Sequence, residues 1–174
     1  MPSPIINILI AVLVLANSTG ATRAVRARWR TATEPELRRL IPPRAPVIKE
    51  NIETEFRTAS GVTDGRGKFI AGVVMITAGY SAEGKYSHFF TTQTPLKIGN
   101  LLLKPGDYIF GYQRINNDLI RVSFYRASSG EAIGSVDAHA NRKSSMVRSL
   151  LITPPVDGKA TIQIGRFFFE YKLG

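Results

Sequence analysis

Residues 106–126 read GDYIFGYQRINNDLIRVSFYR. In the second half, Ile120, Val122 and Phe124 fall on one face of an extended chain, and Arg121, Ser123 and Tyr125 on the other. That is the alternation of a half-buried antiparallel strand. Tyr108, Phe110 and Tyr112 make a similar row in the first half. Between the rows lies Asn116-Asn117-Asp118, whose side chains favour turns. The stretch reads as a β-hairpin with its aromatics packed between sheets.

Working outward, Leu101-Leu102-Leu103 runs into Lys104-Pro105-Gly106-Asp107. Proline at position i+1 and glycine at i+2 predict a type II turn, so LLL and DYIFGY should be strands joined by a tight corner. Downstream, Ser128-Ser129-Gly130 turns the chain into EAIGSVDA. Upstream, Gly65-Arg66-Gly67 reads as a hairpin turn, and residues 68–77, KFIAGVVMIT, are apolar on both faces, as in a central covered strand. Pro154-Pro155 and Asp157-Gly158 mark a further turn. In ATIQIGRFFFEYKL, Ala160, Ile162 and Ile164 share a face, but past Gly165 the apolar set changes parity to Phe167, Phe169 and Tyr171. A phase shift at a glycine predicts either a kink in one long strand or a break into two short ones. Turn signals about every 8–12 residues predict an all-β fold, an antiparallel β-sandwich of jelly-roll or Ig-like type, over residues 54–174.

The segment TPLKIGNLLLKPGDYIFGY resembles a strand-turn motif of small exported bacterial β-sandwich proteins of unknown function, through Ile98, Gly99, Leu103, Pro105, Gly106 and Tyr108. In that motif an alanine stands between the proline and the glycine. It is missing here, and Lys104 precedes the proline. The resemblance implies export, a sandwich and no catalysis, and it implies no ligand.

Residues 1–21 predict the compartment. Ile5 to Ala16 is an uncharged apolar run followed by small residues, Ser18 to Ala21. Its length suits a signal peptide and falls short of the about 20 residues of a membrane span. No basic residue precedes it. Cleavage would export the domain to the periplasm, the cell surface or the medium. Retention would leave residues 5–16 as a short membrane anchor, with the following arginines on the inner side.

Residues 22–53 read as a basic, proline-broken and mostly irregular arm. Within residues 22–50, Arg23, Arg26, Arg28, Arg30, Arg38, Arg39, Arg44 and Lys49 outnumber Glu34, Glu36 and Glu50, and supply half of the chain's formal net charge of +10. Thr33-Glu34-Pro35-Glu36 has the form of a capping box, predicting one short helix that Pro42-Pro43 ends. The arginines at 23, 26, 28, 30, 38 and 39 are the candidate partner-docking residues, for an electrostatic tether that orders on a partner. A plain spacer is the alternative.

Chemistry is sparse. The chain has no cysteine, which removes disulfides, thiolate catalysis and cysteine-ligated zinc. His88 and His139 are the two histidines. Asp137 and His139 share a strand face, and with His88 they are the candidates for a metal site. No G-x-S-x-G elbow, phosphate loop or dinucleotide motif is present, and Asp107, Asp118 and Asp157 sit in turn chemistry. No enzyme and no cofactor are expected. The positive charge points to anionic partners. Tyr112, Arg121, Tyr125 and Arg126, with Tyr80 and Tyr86, form a candidate ligand platform, but the leader argues against nucleic acid. The expectation is an exported, non-catalytic accessory or structural subunit of an envelope or surface assembly, docked by strand addition. The alternatives are a module for a glycan or anionic polymer, or a metal-assisted hydrolase.

Overall fold

The computed structural model describes residues 28–141 and 146–174. The elements are β1 (Arg30–Thr31), α1 (Glu34–Leu40), β2 (Arg44–Val47), β3 (Glu50–Thr63), β4 (Phe69–Met75), β5 (His88–Thr92), β6 (Leu96–Ile98), β7 (Leu101–Leu103), β8 (Gly106–Asn116), β9 (Leu119–Arg126), β10 (Ala132–Ala140), β11 (Arg148–Ile152), β12 (Lys159–Gly165) and β13 (Phe167–Leu173). Each of these strands pairs antiparallel with its neighbours.

The all-β antiparallel class expected from the sequence is present. The sandwich is not: the strands form one ladder in the order β1-β3-β4-β5-β8-β9-β10-β13-β12-β11, curled into a half-barrel. Curling brings β11, at one end of that order, back beside β3 and β4. The β2 strand pairs with the start of β3, and β6 bridges β7 and the end of β13.

Strand alternation divides the core in two. The concave side holds Ile70, Phe90, Tyr108, Phe110, Ile120, Val122 and Phe124, with Ile162, Ile164, Phe167, Phe169 and Tyr171. The convex side of β4, β5 and β8 holds Ala71, Val73, Phe89 and Ile109 under Leu37, Ile41, Ala45, Val47, Ala82 and Tyr86. So β4 is covered on both faces, as its sequence predicts.

The hairpin at 106–126 forms in register from Tyr108 opposite Arg126 to Arg114 opposite Ile120, and a shift at Ile115 then sets Asn116 opposite Leu119. The corner before it differs from expectation. The φ angle of Gly106 is 151°, far from the roughly +80° of a type II turn. The β7 strand pairs with β6, not β8, so the chain leaves a small ribbon and enters the main sheet. The Tyr108 hydroxyl donates to the Lys104 carbonyl at 2.7 Å and ties this corner down.

Gly165 separates two strands, the second of the two outcomes its sequence allows. Ile164 pairs directly with Phe167, so residues of opposite parity share one face. Gly165, at φ 60°, takes the first position of a two-residue loop, where only glycine enters easily. Burial of both apolar rows in the concave core then requires the shift of phase.

The stretch expected as an arm is packed from residue 30 onward. Helix α1 forms where the capping signal lies, with the Glu36 carboxylate accepting from the Thr33 amide at 2.8 Å and the Thr33 hydroxyl at 2.9 Å. Leu37 and Ile41 are buried beneath it, and β3 runs without interruption through positions 53 and 54.

Candidate functional site

The half-barrel is open between β3 and β11. The β3 strand is irregular at this point. Glu55 pairs with Val74 and Ser60 with Gly72, so residues 56–59 bulge from the ladder. The bulge satisfies itself with side chains: the Thr58 hydroxyl donates to the Glu55 carbonyl at 2.7 Å and accepts the Val74 amide at 2.9 Å. Arg57 folds back onto the Glu55 carboxylate, at 3.0 and 3.1 Å, and holds that carboxyl below its ordinary range.

Across the gap, β11 pairs with β12 on one side only. Among the described residues no backbone hydrogen bond joins it to β3. One hydrogen bond among the described residues spans the gap: the buried Ser60 hydroxyl accepts the Ile152 amide at 2.9 Å. The result is an open slot of about 470 Å³. Thr58 to Gly61 line one wall and Val147 to Leu151 the other, and Leu37 of α1 stands near one end. Gly61 makes this approach feasible, because a Cβ there would lie 2.9 Å from the Leu37 Cδ2. Arg57, Arg148 and Ser149 are exposed along it. An unpaired strand edge beside a groove can hydrogen-bond an extended chain.

His88 stands inside the barrel, close to this gap. It is 3% exposed. Its ring stacks on Phe110 at 4.5 Å, and Nδ1 lies 2.8 Å from the Ser87 hydroxyl. Its Nε2 has no hydrogen-bond partner. Burial pushes its pKa down to about 4, and the Ser149 backbone opposes that shift weakly.

Asp137 and His139 are elsewhere, on the outer face of β10. Asp137 accepts Arg121 Nε and Nη2 at 2.8 and 3.1 Å, and Arg121 holds the carboxyl below its usual range, with a smaller effect of His139. Both residues border an open cleft of about 590 Å³ where β13 exchanges its partner β10 for β6. The structure therefore does not bring His88 to them, and among the described residues no three His, Asp or Glu side chains are placed to hold a metal. Comparison with protein-family models, with curated proteins and with solved structures gives no match.

The candidate platform is divided in the same way. Tyr112 is half exposed at the barrel end, on the concave side. Arg121 is committed to Asp137. Tyr125 packs edge-on against Tyr86 at 5.0 Å, and Lys85 stands over both rings. The Arg126 guanidinium lies 5.5 Å from the Tyr108 ring centre and 4.0 Å from Glu131. Of the docking arginines, Arg23 and Arg26 lie outside the described residues. Arg28 is exposed. Arg30 pairs with Glu36 at 2.7 Å, Arg38 pairs with Glu34 at 2.7 Å and covers Phe56, and Arg39 donates to the Pro35 carbonyl. Pro105 and Gly106 form the corner, and Gly165 the hairpin loop, as described above.

Sequence reasoning did not find the slot. The signal for it was TEFRTAS, residues 54–60, where strict alternation fails inside a long strand.

Proposed function

We infer that the protein is a non-catalytic accessory subunit, exported behind residues 1–21, that receives an extended segment of a partner protein in the slot between β3 and β11. The observation that carries this reading is the unpaired edge of β11, joined across the slot to β3 by the Ser60–Ile152 bond. A partner strand laid along the unpaired edge of β11, beside the Ser60–Ile152 bond, would satisfy main-chain groups that the fold leaves open there. Arg148, exposed along the slot and paired with no carboxylate of the described residues, favours a segment with acidic side chains. An envelope or surface assembly is the class of partner that suits an exported basic subunit.

The test is native-size analysis of the full chain from its own cells, with a photo-crosslinking residue at Ser149. A particle of fixed stoichiometry, with one partner segment crosslinked through position 149, supports the reading. A lone chain of its own mass, with no crosslink from 149, refutes it.

A further inference from the structure

Eight large apolar side chains stand exposed among the described residues, and four of them, Tyr112, Ile115, Met146 and Val147, gather at one end of the barrel. That end is built from the β8–β9 tip, the β12–β13 tip and the start of β11. The tips are fastened to one another. Arg166 Nη2 donates to the Asn117 carbonyl at 2.6 Å, and the Ala140 amide to the Asp118 carbonyl at 2.8 Å. Gln163 Nε2 donates to the Met146 carbonyl at 2.8 Å, and Arg148 pairs with Gly165. The apolar groups thus project from a braced surface.

Arg114, Arg148 and Arg166 stand among them. Arg114 and Arg166 approach the Phe167 ring, with guanidinium carbons 5.6 and 5.4 Å from its centre. None of the three is paired with a carboxylate of the described residues. By contrast, Arg30, Arg38, Arg44, Arg57 and Arg121 each hold an acid. Asp118 is the one acidic residue on the two tips. Between the arginines lies a shallow hollow of about 240 Å³, walled by Tyr112, Val147, Ile164 and Phe167.

We propose that this end of the barrel docks on an anionic lipid surface. Guanidiniums without acid partners meet headgroup phosphates, with a gain of about 1 kcal/mol for each basic residue near such a surface. Tyr112, Val147, Met146 and Ile115 enter the boundary between headgroups and acyl chains, where a tyrosine keeps its hydroxyl wet and its ring dry. An acidic protein would satisfy the arginines but would need a flat apolar patch, whereas here single apolar side chains stand between cations. Val147 and Arg148 also border the slot; Tyr112, Arg114 and Arg166 do not, and they carry the proposal whatever enters it.

The test is flotation of the full chain with vesicles of phosphatidylcholine alone, and with one third of the lipid replaced by phosphatidylglycerol. The protein is expected to float with the anionic vesicles and to be released by salt. Removal of each arginine weakens binding roughly fivefold, so Arg114→Gln with Arg148→Gln lowers it about 25-fold. Arg114→Lys with Arg148→Lys keeps it near the original. Val147→Ser, at an exposed position, lowers it without loss of the fold, and unfolding midpoints verify that each variant is folded. Equal binding to neutral vesicles, or equal binding by the double glutamine variant, assigns attachment to residues 5–16 and overturns the proposal. Retention by a soluble polyanion with none by vesicles also overturns it.

Discussion

The Ser60 hydroxyl and the Ile152 amide, 92 positions apart in sequence, meet at 2.9 Å across the gap in the barrel. Both residues are buried, so loss of the hydroxyl leaves an amide without a partner. Ser60→Ala is expected to cost about 1–3 kcal/mol and to raise hydrogen exchange at Ile152 above the rate change at Phe124. Equal protection at Ile152 in both proteins would mean that this bond does not hold the strand.

His88 makes stability depend on pH. Its ordinary pKa is 6.5 and in the fold it is near 4, because burial disfavours the charged ring. The unfolded chain therefore binds the proton first. Stability is fully present above pH 6.5 and is lost as pH falls through 4, by on the order of 3 kcal/mol from this one group. His88→Phe keeps a ring beside Phe110 and should flatten the curve across that window. Denaturant midpoints between pH 7 and pH 4 check it, and a variant with the original slope would exclude His88 as the source.

Glu36 acts in a lower window. Its carboxyl is held down to about 2, chiefly by the Arg30 guanidinium and then by the Thr33 amide. The contribution of the charged carboxylate is present above about 4.5 and is lost as pH falls through about 2. Glu36→Gln should remove that part of the acid transition while the His88 step stays in place. Circular dichroism during acid titration separates the two.

Gly111 is the contact point between the hairpin and the outer cover. A Cβ at this position would collide with the Lys85 backbone carbonyl, which no rotamer can relieve. Gly111→Ala is expected to destabilise by about 1–3 kcal/mol and to loosen residues 80–87. Gly65→Ala, where a Cβ meets open space but φ is 70°, tests backbone strain by itself and serves as the comparison.

The parts of this fold that follow from local physics were legible. The 106–126 hairpin announces itself because alternation and turn residues agree over adjacent segments. The break at Gly165 left a visible parity change, since direct pairing of Ile164 with Phe167 forces it. The capping residues Thr33 and Glu36 marked the helix. Closure of the sheet was not legible: β13 pairs with β10 and β6 through contacts that no local pattern records. Prolines and charge concealed the packing of residues 44–52, although Ala45, Val47 and Ile52 are among the most buried side chains. For the site, residue types suggested Asp137 and His139 with His88, yet a strand face and a barrel interior keep them apart. The slot arises from an interrupted pattern, which sequence reading treats as noise.

The position of β13 has a consequence for how the sheet holds together. It follows β12 in the chain, yet it lies inside the ladder, with β12 on one side and β10 and β6 on the other. Without residues 167–173 the meander from β8 to β10 still has its pairings, but the β11–β12 hairpin loses the strand that joins it to β10. In the strand order of the described residues, β13 is the one join between the run that ends at β10 and the β12–β11 hairpin. It therefore acts as a clasp between two parts of the sheet that follow one another along the chain but are not paired with each other.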